Sequence, residues 1–454
     1  MPQIREKSGG VRILALGACV LSILMGSVKI ASAVADPHEL FPTGAKIESD
    51  NKEQWLSVGM GVRTSFSSQQ NGSANGHNYS NAFGIQNARL YVNGALNRYL
   101  KFEFNTDCFN CPSGQNGSGG GNSFFGGNST MGVLDLIGKV EYSQYLNVWF
   151  GRLLVPGERG ELNGPFFHAT YDGFRTPFNS ADFSGNIGNG GAGLYGRDDG
   201  AVFWGELNTS TIKQIQYSLG AFKGLRSAGS GCSGPCGPNQ ANNLLYAGRL
   251  TLNFLNPEKN PGYYTAGTYY GKAGDILALA GGFNFQAKGA GSFQHPSDLT
   301  IFTSDLLFEK VLPNAGVFTF NAELKRYWAD YNVLAFSDPG NTGLLNGAGN
   351  NFAIFRGTSL TAYALYLFPD QVGWGKFQPY GRYTYIDPQG SLVRKEYELG
   401  LNYVIKGFNS RVSAFWQYRD INTKSSSLAN YASYAPSTTG EMVHRFVLAY
   451  QFQY

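Results

Sequence analysis

Two pairs of closely spaced cysteines are the residues of this chain whose type and spacing most directly suggest chemistry. The first pair is Cys108 and Cys111, and the second pair is Cys232 and Cys236. In an oxidising compartment such pairs predict disulfide bonds, and all three pairings of the four cysteines are open. A four-thiolate zinc site is the alternative. Haem attachment is excluded, because neither pair is followed by the histidine that a c-type motif needs.

The histidines offer no comparable pattern. They lie in a tail, in loops and at the start of a predicted strand, without metal-like spacing: His38, His77, His168, His295 and His444. Nucleophilic catalysis would need a nucleophile, a base and an orienting partner on neighbouring elements, and no predicted strand offers such a set. We therefore predict that the chain is not an enzyme and that it carries no cofactor and no metal.

The first residues predict export. A basic start is followed by an apolar run of 16 residues from Ile13 to Val28, and then by the small-residue cleavage site Ala31-Ser32-Ala33. This pattern predicts a signal peptide over residues 1–33; a lipobox ending at Cys19 is the alternative. Its removal takes away four basic residues and one acidic residue, which lowers the formal charge from +4 to +1. That balance gives no reason to expect nucleic acid as a partner.

The elements that must position these residues are β-strands. At the C-terminus Phe446, Leu448, Tyr450, Phe452 and Tyr454 alternate with smaller or polar residues, which is typical of a strand with one apolar face. The same alternation recurs along the chain, and no later stretch approaches the roughly 18–20 apolar residues of a spanning helix. We predict about sixteen strands, near 55–69, 84–95, 99–107, 132–143, 146–156, 200–208, 212–224, 244–254, 276–287, 299–312, 316–330, 357–369, 375–386, 395–407, 409–419 and 442–454.

The lengths of the connections alternate. Every second connection is short, and the others are long and rich in Gly, Asn and Ser: 70–83, 108–131, 157–199, 225–243, 331–356 and 420–441. Short turns on one side and long loops on the other predict an all-β, transmembrane, antiparallel β-barrel of the bacterial outer membrane. Only the connection 255–275 breaks the rule, either as a periplasmic excursion or as a missed hairpin. A secreted sandwich with a buried edge strand is the alternative fold.

Strand parity places one set of charges on the face opposite to lipid. Because a cation on the lipid face costs about 2–4 kcal/mol at the midplane, these charges are expected in the lumen. The candidate basic residues of the pore wall are Arg89, Lys101, Arg249, Lys325, Arg382, Arg411, Arg419 and Arg445. A barrel of this size is too wide for side chains to fill, so we expect an aqueous channel.

The third long loop, 157–199, is expected to fold inward. Six phenylalanines and tyrosines lie between Phe166 and Phe183, and an exposed loop would not favour them. Its charges could then reach the pore, and we predict a constriction formed by Arg159, Glu161, Asp172, Arg175 and Arg197. The alternative is a surface loop that packs on itself or on a neighbouring subunit.

Short motifs carry a resemblance to a known family. Gly151-Arg152, read as lumen-type, is followed by a long loop and then by Gly196-Arg197-Asp198-Asp199-Gly200, which opens the next strand. With Phe377-Gln378-Pro379-Tyr380-Gly381-Arg382-Tyr383, this order resembles the phosphate-selective porin O/P family. The resemblance implies a trimeric, sixteen-stranded channel that is anion-selective in some members.

We therefore expect a signal peptide over 1–33, a periplasmic segment over 34–54 and an outer-membrane barrel over 55–454. The predicted function is a porin for passive diffusion of small hydrophilic solutes or ions, with weak anion selectivity at most. Its expected partners are outer-membrane lipid, two further copies in a homotrimer, and small hydrophilic or anionic solutes. The alternatives are a barrel sheath for a periplasmic electron-transfer protein and a structural or adhesive surface barrel.

Overall fold

The computed structural model describes residues 44–73, 77–111, 131–172, 196–224, 239–291, 293–327, 357–388, 393–419 and 442–454. It contains one short helix, α1 (Arg159–Asn163), among the described residues. The strands are β1 (Ala45–Glu48), β2 (Trp55–Gln69), β3 (Ser80–Ala95), β4 (Leu100–Cys111), β5 (Gly132–Glu141), β6 (Asn147–Leu154), β7 (Arg197–Asn208), β8 (Gln214–Phe222), β9 (Leu245–Asn253), β10 (Ile276–Gly291), β11 (Pro296–Val311), β12 (Val317–Tyr327), β13 (Gly357–Leu367), β14 (Lys376–Pro388), β15 (Arg394–Lys406), β16 (Ser410–Arg419) and β17 (Val443–Gln453).

Strands β2 to β17 form a closed antiparallel barrel of sixteen strands. Each strand pairs with its neighbour in sequence, and β17 pairs with β2 to close the ring, with Gln453 opposite Gly61. The predicted fold is therefore confirmed, and the sixteen predicted strands correspond one to one with β2–β17. The short β1 adds to the start of β2, with Ala45 opposite Val58. Closure pairs the two edge strands of the sixteen-stranded sheet, β17 and β2, with each other, as a lipid environment requires.

Alternation along each strand separates an apolar exterior from a polar interior. On β17 the side chains of Phe446, Leu448, Tyr450 and Phe452 are 36–54% exposed, whereas the intervening Val447 and Ala449 are buried. Large apolar residues dominate the exposed positions of the other strands as well. Lipid is the environment that such an exterior fits. No helix of the described residues is long and apolar enough to cross a membrane.

The two ends of the barrel differ, and we call them the turn end and the loop end. At the turn end, six connections have three to eight residues: 96–99, 142–146, 209–213, 312–316, 368–375 and 407–409. The loop end holds the long connections, but 292–295 and 389–393 are also short there, because β10, β11, β14 and β15 extend further than predicted. The segregation of lengths is therefore real but incomplete.

One connection at the turn end is long, and we call it the insert. It comprises residues 254–275 between β9 and β10, and it contains no strand. It is thus an excursion and not a missed hairpin. It folds back into the barrel, where Tyr263, Ala266, Tyr269 and Tyr270 are buried.

Residues 155–196, between β6 and β7, form loop 3, of which 155–172 and Gly196 are described. The described part also lies inside the barrel, because Phe166, Ala169 and Tyr171 are buried against inward-facing residues of the wall. Two apolar clusters form where the insert, loop 3 and the wall meet, and a third forms where loop 3 packs on the wall. The core of this barrel is therefore in its lumen.

Candidate functional site in the barrel lumen

The predicted wall cations all alternate to the lumen side of their strands, but most are covered. Lys101 keeps 32% of its side chain exposed. The other seven are buried: Arg89, Arg249, Lys325, Arg382, Arg411, Arg419 and Arg445. Six of these seven pair with carboxylates, so they form ion pairs beneath loop 3 and the insert and do not stand in open water. Whether they line the passage stays a prediction.

Arg411, the seventh, holds loop 3 in place. Its guanidinium donates to the carbonyl oxygens of His168 and Ala169, each at 2.9 Å. Arg63 of β2 donates in the same way to the carbonyl oxygen of Tyr171 and lies 4.1 Å from the centre of its ring. Charge-assisted bonds of this kind are stronger than neutral ones. Two arginines of the wall therefore anchor loop 3 through its backbone.

Further polar side chains of the wall bind the same stretch of loop 3. Gln451 donates to the carbonyl oxygen of Phe166 at 2.8 Å, and Arg382 donates to the hydroxyl of Thr170 at 2.8 Å. The guanidinium of Arg89 lies 4.8 Å from the ring centre of Phe166. The described part of loop 3 is thereby fastened to β2, β3, β14, β16 and β17.

Of the five predicted constriction residues, the structure describes four. Arg159 and Glu161 lie in α1, Asp172 pairs with Arg445, and Arg197 opens β7 and pairs with Asp135 at 3.0 Å. All four side chains are buried in ion pairs. Arg175 lies outside the described residues, as do Phe174, Phe178 and Phe183. The four described residues belong to separate ion pairs, and the role of all five as a constriction stays a prediction.

Helix α1 meets a group of carboxylates on β11 and β12. The backbone N–H of Arg159 donates to Asp305 at 3.1 Å, and that of Gly160 donates to Glu323 at 2.8 Å. Lys325 binds both Glu158 and Glu161. Burial and the nearby charge of Glu161 raise the pKa of Glu158 well above its ordinary value, although Lys325 opposes the shift.

Arg159 joins loop 3 to the insert. Its guanidinium makes two parallel hydrogen bonds to Glu258, at 2.6 and 2.7 Å, and it donates to the carbonyl oxygen of Ala266 at 3.1 Å. It also lies 3.2 Å from Asp305 of β11. Burial opposes ionisation of Glu258, but the charge and hydrogen bonds of Arg159 outweigh it and lower its pKa to about 2. One buried arginine thus ties two chain segments to the wall.

The insert crosses the lumen from one wall to the other. On one side Tyr263 and Tyr264 pack on Trp149, with ring centres 5.3 Å apart in both cases. On the far side Tyr270 packs on Phe408, with ring centres 5.0 Å apart. Each ring would forfeit about 1.5–3 kcal/mol if it were left in water. The aromatic residues therefore drive the insert inward.

The insert and loop 3 also contact each other directly. The backbone N–H of Gly267 donates to the carbonyl oxygen of Phe167 at 2.9 Å, and the hydroxyl of Thr265 donates to the carbonyl oxygen of Arg159 at 2.8 Å. A Cβ at Gly267 would lie 2.5 Å from the backbone nitrogen of Ala169. Position 267 therefore leaves no room for a side chain between the two segments.

Sequence reasoning missed three parts of this site. The stretch Tyr263-Tyr264-Thr265-Ala266-Gly267-Thr268-Tyr269-Tyr270 holds four tyrosines in eight residues, a signal for burial that was available. Arg63 could have been found from strand parity. Glu258 carried no sequence signal, because its partner Arg159 is distant along the chain.

Two expectations from sequence were wrong. Arg152 is not on the lumen side: it stands opposite Asp199, which is 52% exposed, on the outward face that it shares with Phe150. Cys108 and Cys111 were expected in the long connection 108–131, but both lie in β4, which ends at Cys111. At about 3.3 Å per residue their Cα atoms stand about 10 Å apart, too far for a mutual disulfide.

The other chemical candidates stay predictions. Cys232 and Cys236 lie outside the described residues, and disulfides that join the two pairs stay open. No group of three or more His, Cys, Asp and Glu side chains that could hold a metal ion exists within the described part of the chain.

No family model matches this chain, and no curated protein is similar to it. Among solved structures, OprB of Pseudomonas putida is similar, with a TM-score of 0.51 and 11% identity over 89% of this chain and 95% of that one. An anion-selective porin from Comamonas acidovorans has a TM-score of 0.49 and 12% identity, over 88% and 100% of the two chains. Salmonella typhi OmpF in complex with daunomycin has a TM-score of 0.49 and 11% identity, over 90% and 100%.

At these identities the likeness to OprB supports the fold alone. The closed barrel and its apolar exterior define a membrane-spanning protein of the bacterial outer membrane. The resemblance to the phosphate-selective porin family stays a prediction.

Proposed function

We propose that this protein is an outer-membrane porin, a channel for passive diffusion of small hydrophilic solutes and ions. The observation that carries the proposal is the closed sixteen-stranded barrel with lipid-type residues outside and charged residues inside. Short turns face the periplasm in such barrels and long loops face the outside, so the turn end is assigned to the periplasm. The insert then enters the lumen from the periplasmic side.

Weak selectivity is the second part of the proposal. The lumen charges are mixed in sign, and most cations have a carboxylate partner within 4 Å. Neutralised pairs give little net field, whereas strong selectivity rests on rings of one sign. Phosphate selectivity has no support from this arrangement. A homotrimer and a signal peptide over residues 1–33 are retained as parts of the proposal.

The alternative of a sheath for a periplasmic redox protein has less support. Such a partner would need an empty lumen, whereas Tyr263, Tyr269 and Phe166 of this chain occupy it and are buried against the wall. Proteoliposome swelling tests the proposal against this alternative. We expect swelling in isotonic solutions of small neutral solutes, with a rate that falls as solute size increases. Liposomes that swell no faster than protein-free liposomes would contradict the porin proposal.

A further inference from the structure

Four charged residues on the lumen face of β4 and β5 are partly open to solvent. Lys101 and Glu141 keep 32% and 20% of their side chains exposed, and Lys139 and Glu103 keep 11% and 14%. The ion pairs around Arg159, Lys325 and the other covered wall cations are at most 10% exposed. Water therefore reaches the lumen face of β4 and β5 near the turn end.

These four residues form a compact square on two neighbouring strands. Lys101 of β4 stands directly opposite Lys139 of β5. Like charges in that position repel, and the diagonal carboxylates offset the repulsion: Lys101 binds Glu141, and Lys139 binds Glu103 at 2.5 Å. We call these residues the charged square.

The insert borders the charged square. The ammonium group of Lys139 lies 3.8 Å from the ring centre of Trp149 and 6.0 Å from that of Tyr264, which belongs to the insert. On its other side the insert is closed against the wall by Tyr270, which packs on Phe408, and by Thr268, whose hydroxyl donates to Glu309 at 2.6 Å. The side of the insert that faces β4 and β5 is therefore accessible to water.

We infer that solutes pass the periplasmic end of the barrel between the insert and the wall formed by β4 and β5, and that the charged square is the selectivity site of that mouth. This inference rests on the proposed porin function. The square contains two cations and two anions, so the intact mouth admits small ions of either sign as well as neutral hydrophilic solutes. Removing its two cations leaves a net charge of −2, which favours cations.

The first experiment changes the charge of the square. In a planar bilayer with a salt gradient, the double variant Lys101→Gln, Lys139→Gln should raise the cation-to-anion permeability ratio about threefold over wild type. Lys310→Gln is the matched control, because Lys310 lies at the same end on the outward face and is 46% exposed. It should leave the ratio unchanged. An equal ratio in the double variant and in wild type would overturn the inference.

A second readout does not depend on conduction. In folded protein in lipid, Glu141→Cys should react with a water-soluble maleimide about tenfold faster than Ser359→Cys, a near-isosteric change at a buried position of β13. Peptide mass spectrometry separates these sites from the native cysteines. Equal and slow labelling at the two positions would overturn the inference that water reaches the mouth at position 141. Fast labelling at position 141 without any wild-type conductance would instead contradict the porin function and leave the geometry standing.

Discussion

At the scale of single residues, the buried Arg159 links loop 3 to both the insert and the wall. It is fully buried and binds Glu258 of the insert and Asp305 of the wall. Removing one partner of a buried ion pair costs about 3–5 kcal/mol, because the remaining charges stay buried without compensation. Arg159→Met should therefore lower the temperature at which the folded band converts to the unfolded band on unboiled gels.

Arg98→Met is the control for this prediction, since Arg98 lies exposed in the turn 96–99. It should convert at the wild-type temperature. Equal conversion temperatures for both variants would show that the Arg159 cluster does not stabilise the barrel.

The lowered pKa of Glu258 predicts that the stability of the protein depends on pH. Its pKa falls from the ordinary 4.5 to about 2 in the folded protein, so its ion pair contributes stability that is complete above about pH 4.5 and is lost as the pH falls towards 2. Glu258→Gln should be less stable than wild type at pH 7, and the difference should shrink over that window. Unfolding in denaturant, followed by tryptophan fluorescence, measures the free energy of unfolding of the two proteins at each pH.

Glu158 does not disturb this comparison. Its raised pKa has the opposite sign of effect, because it favours the folded state at low pH, and it is present in both proteins. A stability difference that stays constant from pH 7 to pH 2 would contradict the assignment of Glu258.

At the scale of elements, the contact between loop 3 and the insert depends on Gly267. Gly267→Ala places a Cβ 2.5 Å from a backbone atom of loop 3, so one of the two segments must move. We expect trypsin to cleave after the exposed Lys259 of the insert about tenfold faster than in wild type, since cleavage follows local opening. In the control Gly281→Ala the nearest atom is 3.9 Å away, and cleavage should not change. Unchanged cleavage in both variants would mean that the two segments are not coupled.

The strands could be predicted from sequence, whereas the filling of the lumen could not. Each residue of β17 faces either lipid or the interior, and its type reports that environment directly, as Phe446 and Gln451 do. The insert has no such period, so its sequence pattern predicts only that the connection is long. The pairing of Arg159 with Glu258, and of Arg411 with the backbone of loop 3, depends on how distant segments pack. Strand parity depends only on the local sequence, so it predicts which face of a strand a charge occupies. It does not predict which distant residue pairs with that charge.

At the scale of the whole molecule, the last residue closes the barrel. The backbone of Tyr454 exchanges two hydrogen bonds with Met60 of β2, at 2.8 and 3.0 Å, and its side chain continues the outward row of β17. Deleting Tyr454 removes both bonds and one lipid-facing ring. We expect a lower yield of the heat-modifiable folded form from membranes, whereas Tyr454→Phe should assemble normally. Normal assembly of the deletion would contradict this role of the terminal residue.

Single-channel conductance tests most directly whether this barrel conducts ions and whether the insert narrows the passage. The backbone N–H of Asn256 donates to the carbonyl oxygen of Asp275 at 3.0 Å, so these two residues already face each other. Residues 257–274 can therefore be replaced by a two-residue Asn-Gly turn that keeps β9 paired with β10. Single-channel conductance in a planar bilayer then compares this variant with wild type. We predict discrete conductance steps for wild type and steps at least about twofold larger for the variant, because the insert no longer occupies the lumen. No wild-type conductance, or equal steps in the two proteins, would contradict the account.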